Sequence, residues 1–135
     1  MRELIFACLL LCFTNASAES RPTLRVDFYH SGNALTEMFS LHQVVIEPLA
    51  WPGHSDGSID TGNRGDYLFE VVEPLTNAVL YSRGFGSIFG EWQLTAEAKV
   101  MNQTLHESVR FPKPDKPVRL RISKRDDANR FAHAD

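Results

Sequence analysis

Apolar and polar residues alternate at every second position through much of this sequence, and that period restricts the chain to strands far more than to helices. Leu24, Val26 and Phe28 fall on one face of an extended segment, and polar residues or a tyrosine fall on the other. The same period of two recurs in residues 104–111 and 118–122. The pattern predicts strands with one face in a core and the other in solvent.

Three further segments are typical of strands. Residues 39–49 contain adjacent β-branched valines, and Pro48 would break a helix there. Residues 67–72 and 78–81 flank the segment 73–77, which predicts a hairpin with a longer turn. Residues 54–66 are rich in Gly, Ser, Asp and Asn and contain a single apolar residue, so they predict a long loop.

Only residues 87–98 carry a helical pattern. Ile88, Phe89 and Trp92 fit one face of a short helix, and Thr95 is suited to cap a second short turn. Together with the strand segments, this insert predicts a mainly β fold. We expect a single β-sandwich of about six to seven antiparallel strands with one short helical insert.

The N-terminus has the features of a secretory signal peptide. Arg2 precedes an apolar run over residues 4–13, and a small-residue box at 16–18 precedes a polar residue. The run is shorter than the roughly 20 residues that span a bilayer. The sequence therefore predicts no membrane span, cleavage between Ala18 and Glu19, and export to the periplasm, the cell surface or the medium.

Cleavage at this point would also remove Cys8 and Cys12, which are the two cysteines of the sequence. Disulfide and thiolate chemistry is then excluded from the remaining chain. The expected organisation is a signal peptide over 1–18, a single domain over 19–123, and a tail over 124–135. The tail combines charged residues with Ala, Asn and His, and we expect it to fray.

The charge balance bears on the class of partner. The sequence has 14 Lys and Arg residues against 17 Asp and Glu residues, a net charge of −3. Basic residues gather near the C-terminus, but aspartates interrupt them. This distribution predicts a solvated strand face and argues against a nucleic-acid partner.

The histidines show no spacing that indicates a zinc site. His106 and Glu107 begin a metallopeptidase-like motif, but Arg110 stands where the second histidine should be. The histidines are His30, His42, His54, His106 and His133. Because none of them lies at a recognisable spacing from a catalytic or metal-binding partner, we expect each of them at the surface. No serine lies in the glycine-flanked turn of serine hydrolases, so we expect no catalytic residue.

A calcium loop is also not indicated. Asp56, Ser58 and Asp60 place oxygen-bearing side chains at every second position, as a calcium loop does. However, Gly62 comes one place late, and Tyr67 stands where a bidentate glutamate is needed. A plain acidic loop is the simpler interpretation. We therefore expect no metal and no other cofactor.

The aromatic residues Tyr81, Phe85, Phe89 and Trp92 leave two interpretations open. They could line a ligand groove. They could equally close one end of the sandwich core, which is the interpretation that we favour.

Several blocks resemble a known domain. Residues 23–27 with 31–34, residues 79–92 with 95–99, and residues 111–114 occur in order. They are similar to the N-terminal domain of secreted IgA-peptidase-type zinc metallopeptidases, metallopeptidase family 64. The motif residues of the second block are expected to be structural: Tyr81, Phe85, Phe89, Glu91 and Trp92.

The resemblance implies a β-sandwich that precedes a zinc peptidase domain. The peptidase domain and its H-E-x-x-H motif are absent from this chain. No catalytic residue can therefore be transferred, and the resemblance implies a noncatalytic accessory domain whose partner is a peptidase domain. The alternative is a free-standing exported module that binds a glycan or a peptide through a sandwich face or through the 54–66 loop.

Overall fold

A computed structural model describes residues 21–53 and 58–133. Seven strands are formed in this part of the chain: β1 (Pro22–Gly32), β2 (Glu37–Ala50), β3 (Tyr67–Val72), β4 (Val79–Phe85), β5 (Gln103–Pro112), β6 (Arg119–Arg125) and β7 (Phe131–His133). Between β4 and β5 lie helix α1 (Ile88–Gln93) and a 3-10 turn (Glu97–Lys99).

The strands form two antiparallel sheets. One sheet has three strands in the order β2-β1-β5, and the other has four strands in the order β4-β3-β6-β7. The predicted hairpin is the β3–β4 pair, in which Tyr67 lies opposite Phe85. The mainly β sandwich with one short helical insert is confirmed.

The core lies between the inner faces of the two sheets. Even-numbered residues of β1 and odd-numbered residues of β3 and β5 face inward, as the alternation predicts. The buried core residues are Val26, Phe28, Phe69, Val71, Tyr81, Val109 and Phe111. Aromatic rings therefore fill much of the space between the sheets.

Strand β2 extends beyond the cover of the second sheet. Leu41, Val44 and Ile46 pair with core-facing residues of β1, yet they are 69%, 54% and 57% exposed. We call these three residues the β2 strip. Because β2 is also an edge strand, an apolar side-chain row lies beside a sheet edge that pairs with no other described strand.

The helical insert consists of a short helix and a following 3-10 turn, as the pattern predicts. Ser87 caps α1 by accepting a hydrogen bond from the Gly90 backbone N–H at 3.0 Å. Phe89 is completely buried, whereas Ile88 is 69% exposed. The predicted common face of Ile88 and Phe89 is wrong, since adjacent helical residues point about 100° apart. The N-cap of the 3-10 turn is Ala96, not Thr95 as predicted, although the Thr95 hydroxyl accepts from Ala98 N–H at 3.4 Å.

The C-terminal tail differs from the fraying that the sequence predicts. Strand β6 runs to Arg125, and β7 pairs with it through Phe131 opposite Arg125. A turn with Asn129 at φ 63° connects the two strands. The Arg125 guanidinium lies 4.1 Å from the centre of the Phe131 ring, a cation–π contact that helps to hold β7 in place.

The described part of the chain contains no helix that is both long and apolar enough to cross a membrane. The predicted cleavage position, Ala18 and Glu19, lies outside the described residues, as does Asp56.

Candidate functional site

A histidine lies at one end of the core, where the two sheets meet α1. The alternation that buries Val26 and Phe28 continues to His30, whose side chain is 0% exposed. The same rule turns Glu107 of β5 inward, on the face of Val109 and Phe111. The expectation that His30 lies at the surface is therefore wrong.

Two glutamates and a serine surround the His30 imidazole. Nε2 lies 3.0 Å from Oε2 of Glu37. Nδ1 lies 3.1 Å from Oγ of Ser87 and 3.3 Å from Oε2 of Glu107. A protonated imidazole can donate from both nitrogens, so this arrangement suits the imidazolium form.

The opposite sheet completes the cluster. Tyr67 of β3 donates its hydroxyl to Oε2 of Glu37 at 2.9 Å. Nζ of Lys124 in β6 lies 3.0 Å from Oε1 of Glu37 and donates to Oε1 of Gln93 at 2.7 Å. We call His30, Glu37, Tyr67, Ser87, Glu107 and Lys124 the His30 network.

Aromatic rings exclude water from both faces of the imidazole. Phe39 and Phe89 each stack on His30 with ring centres 4.0 Å apart. Tyr67 meets the same ring edge-on at 5.5 Å. The hydrogen bonds and charges of the network are therefore shielded from solvent, which strengthens them.

The surroundings shift the pKa values of the network in opposite directions. Burial alone would lower the pKa of His30, but the bonds to Glu107 and Glu37 raise it above its ordinary value. Burial alone would raise the pKa of Glu37, but His30, Lys124 and Tyr67 lower it to about 2. The pKa of Glu107 is lowered against the effect of burial by His30 and the Phe89 N–H.

Burial, together with the adjacent Glu37 carboxylate, raises the pKa of Tyr67, so this phenol stays protonated. With His30 and Lys124 positive and both glutamates negative, the charges of the network balance. The imidazole has no exposed surface at which a substrate could reach it. The network therefore joins both sheets to α1 as a structural element.

The residues of the family-like motif occupy different environments. Tyr81 is 6% exposed and Phe89 is fully buried, and Phe85 packs against the core from the side. Trp92 is half-buried, lies at a tilt against Phe89 with ring centres 5.4 Å apart, and donates Nε1–H to Glu97 at 2.7 Å. Glu91 is exposed. Tyr81 and Phe85 both contact Phe69, with ring centres 5.9 Å and 6.1 Å from it.

The outer face of the three-stranded sheet carries a second polar group. Nδ1 of His42 lies 3.0 Å from Nε2 of His106, and one ligand atom of each of Asp27, His42 and His106 lies within 4.8 Å of the others. The Tyr29 ring packs against both imidazoles, at 5.0 Å from His42 and 5.3 Å from His106. We call Asp27, His42 and His106 the outer-face cluster.

A β-bulge explains why His42 belongs to this cluster. Gln43 pairs with Asp27 and Leu41 pairs with Phe28, which leaves His42 without an opposite residue on β1. A bulge turns the extra side chain away from strict alternation. His42 thereby reaches the face that carries His106, a partner that sequence spacing could not supply.

The remaining candidate positions serve local structure. Asp60 accepts backbone N–H bonds from Gly62 and Gly84, both at 2.7 Å. Beside α1, a depression combines three amide side chains with exposed apolar ones, among them Leu35 and Leu94. The amides bond within it: Asn33 donates to Asn102 at 2.8 Å, and Gln93 donates to the Asn33 carbonyl at 2.8 Å.

Comparison with known proteins gives one family. The family model described as Peptidase M64 N-terminus matches residues 14–134. No curated protein matches the sequence.

Proposed function

Because the chain belongs to the family of peptidase M64 N-terminal domains, we propose that it is a noncatalytic accessory domain that packs against a zinc peptidase domain. The observation that carries this proposal is the family match, which covers nearly the whole sequence and describes the N-terminal part of these peptidases. The accessory role would be to help the peptidase domain to fold, to orient it or to engage its substrate.

The β2 strip supports a packing role. Leu41, Val44 and Ile46 form an exposed apolar row on an edge strand of 14 residues. Long apolar edges of this kind invite association unless another surface covers them. A peptidase domain that packs on β2 would remove this surface from water, and that burial is the favourable contribution to the contact.

The proposed noncatalytic role is supported by the His30 network. The His30 network has its imidazole closed off from solvent. A nucleophile with an adjacent general base would be needed for covalent hydrolysis, and Ser87 instead donates to Glu107 at 2.8 Å and caps α1. The purified chain is expected not to hydrolyse peptides.

The packing proposal is tested by mixing the purified chain with a separately purified M64 peptidase domain and measuring association by calorimetry. Ile46→Lys should abolish the complex, since it places a charge in the β2 strip. The matched control is Leu75→Lys, because Leu75 is 92% exposed in the β3–β4 turn. Equal binding by both variants, or no binding by the parent chain, would contradict the proposal.

Export is proposed on the N-terminal pattern of residues 1–18. Mass spectrometry of the exported protein should find an N-terminus at Glu19. An intact Met1 on a cytosolic product would remove this part of the proposal.

A stand-alone module that binds a glycan or a peptide remains the alternative function. The amides of the depression beside α1 bond to one another, so a ligand there would be held mainly by the exposed apolar side chains Leu35, Leu94 and Val100. Saturable binding to a glycan or peptide array, by a chain that does not associate with the peptidase domain, would favour it.

A further inference from the structure

The outer-face cluster combines the ligand types of a transition-metal site on three adjacent strands. Asp27 comes from β1, His42 from β2 and His106 from β5. Adjacent strands lie about 4.8 Å apart, so side chains on one face can converge on a shared point. Imidazole and carboxylate ligands together suit zinc and its neighbours in the first transition row.

The distance between the two imidazoles fits one ion held by both. Zn–N bonds of about 2.0–2.1 Å at a near-tetrahedral angle separate two ligand nitrogens by about 3.3 Å. Nδ1 of His42 and Nε2 of His106 are 3.0 Å apart. A small outward movement of two exposed rings would admit the ion, and Tyr29 packs against both rings from one side.

Asp27 supplies the negative charge. Its side chain is largely buried. Arg25 donates to Oδ1 at 2.8 Å and to Oδ2 at 3.1 Å, and Gln43 donates to Oδ2 at 2.8 Å. The bonds to Arg25 outweigh burial and lower the pKa of Asp27, so the carboxylate is ionised near neutral pH. Oδ1 accepts from Arg25 and has a second lone pair that can bind a metal ion. Hydrogen-bonded carboxylates are usual among metal ligands, because the outer bonds fix their orientation.

We propose that Asp27, His42 and His106 bind one divalent transition-metal ion, with Zn²⁺ as the best-suited member of the class. The three side chains leave a fourth position of a tetrahedral ion facing solvent, where water would complete the coordination. Imidazole ligands favour such an ion over Ca²⁺ or Mg²⁺, which prefer oxygen. The site is separate from the β2 strip, so it stands independently of the accessory role.

The test is a calorimetric titration of the purified protein with Zn²⁺ at pH 7.5. We expect one ion per chain. His42→Ala and His106→Ala should each weaken binding by roughly tenfold or more, because each removes one of two nitrogen ligands. Both histidines are exposed, and circular dichroism and the melting temperature should confirm that both variants fold. The matched control, His133→Ala, removes a histidine from β7 in the other sheet and should bind as the parent does.

Two further readouts separate a metal site from a simple hydrogen bond between histidines. Zn²⁺ should shift the ring signals of His42 and His106 in nitrogen-correlated NMR spectra and leave those of His30 unchanged. Calcium at the same concentration should produce no shift.

The proposal is overturned by any of three results. The parent protein shows no saturable uptake of Zn²⁺, or His42→Ala and His106→Ala bind as tightly as His133→Ala, or the ring signals of His42 and His106 do not respond to the ion.

Discussion

The backbone N–H of Phe89 donates a 3.0 Å hydrogen bond to Oε1 of Glu107, so a charged residue of β5 holds the first turn of α1. The same oxygen accepts from the Ser87 hydroxyl at 2.8 Å, and the second oxygen lies 3.3 Å from His30 Nδ1. One inward-facing carboxylate thereby connects a strand, a helix cap and the buried imidazole.

Replacing Glu107 should show how much this connection contributes to the free energy of unfolding. Glu107→Ala leaves the His30 imidazolium with one carboxylate fewer, and we expect the free energy of unfolding to fall by about 3–5 kcal/mol. Urea denaturation followed by fluorescence measures this change in the free energy of unfolding. The control Glu91→Ala removes an exposed glutamate of α1 and should change stability by less than about 0.5 kcal/mol. A similar loss in both variants would contradict the role given to Glu107.

The sequence predicted the strands well because burial in a sandwich follows a period of two. The predicted strand 67–72 has the same bounds as β3. The same period placed Glu107 among apolar residues, which was the available signal for a buried charge. Its partner His30 also follows that period, but the surface expectation rested on the absence of a recognisable partner spacing among the histidines and did not use the period.

The outer-face cluster and the β2 strip lay beyond sequence reasoning. His42 and His106 lie on the two strands that flank β1, and a bulge in β2 turns His42 toward the face that carries His106. Neither the strand order nor the bulge has a local signal in the residues. The exposure of Ile46 depends on how far one sheet overlaps the other, which alternation alone does not specify.

Stability should depend on pH through the opposite pKa shifts in the His30 network. The pKa of His30 is raised above its ordinary 6.5. Its contribution to the free energy of unfolding is therefore fully present below pH 6.5 and is lost as the pH rises through the pKa of the folded state. The pKa of Glu37 falls from 4.5 to about 2, so its contribution is present above pH 4.5 and is lost as the pH falls toward 2. We expect a maximum in the free energy of unfolding between pH 4.5 and 6.5.

Urea denaturation at a series of pH values measures this dependence, and the His30→Gln variant should lack most of the decline above pH 6.5. If that variant does not fold, the NMR titration of the His30 ring in the parent protein gives the folded pKa directly. A folded pKa at or below 6.5 contradicts the prediction.

Phe89 and Trp92 should contribute differently to stability although their rings are in contact. Phe89 is fully buried and also stacks on His30, so Phe89→Ala should cost about 3–5 kcal/mol. Trp92 is half-buried and bonds to Glu97, so Trp92→Ala should cost about 1–2 kcal/mol. Thermal and urea denaturation of the two variants decide the order. A larger loss for Trp92→Ala would show that this ring closes the core.

Gly90 should tolerate a methyl group less well than Gly86. A Cβ at Gly90 would lie 2.8 Å from Cε2 of the Tyr67 ring, and that ring is buried and tied to Glu37 at 2.9 Å. Gly90→Ala should therefore lower the free energy of unfolding by about 1–3 kcal/mol, with part of that loss offset by the better helix propensity of alanine. A Cβ at Gly86 meets no atom within 4 Å, so Gly86→Ala should be neutral or slightly stabilising. Urea denaturation of the pair provides the comparison, and a Gly90→Ala protein as stable as the Gly86→Ala protein would show that Tyr67 can move away from α1.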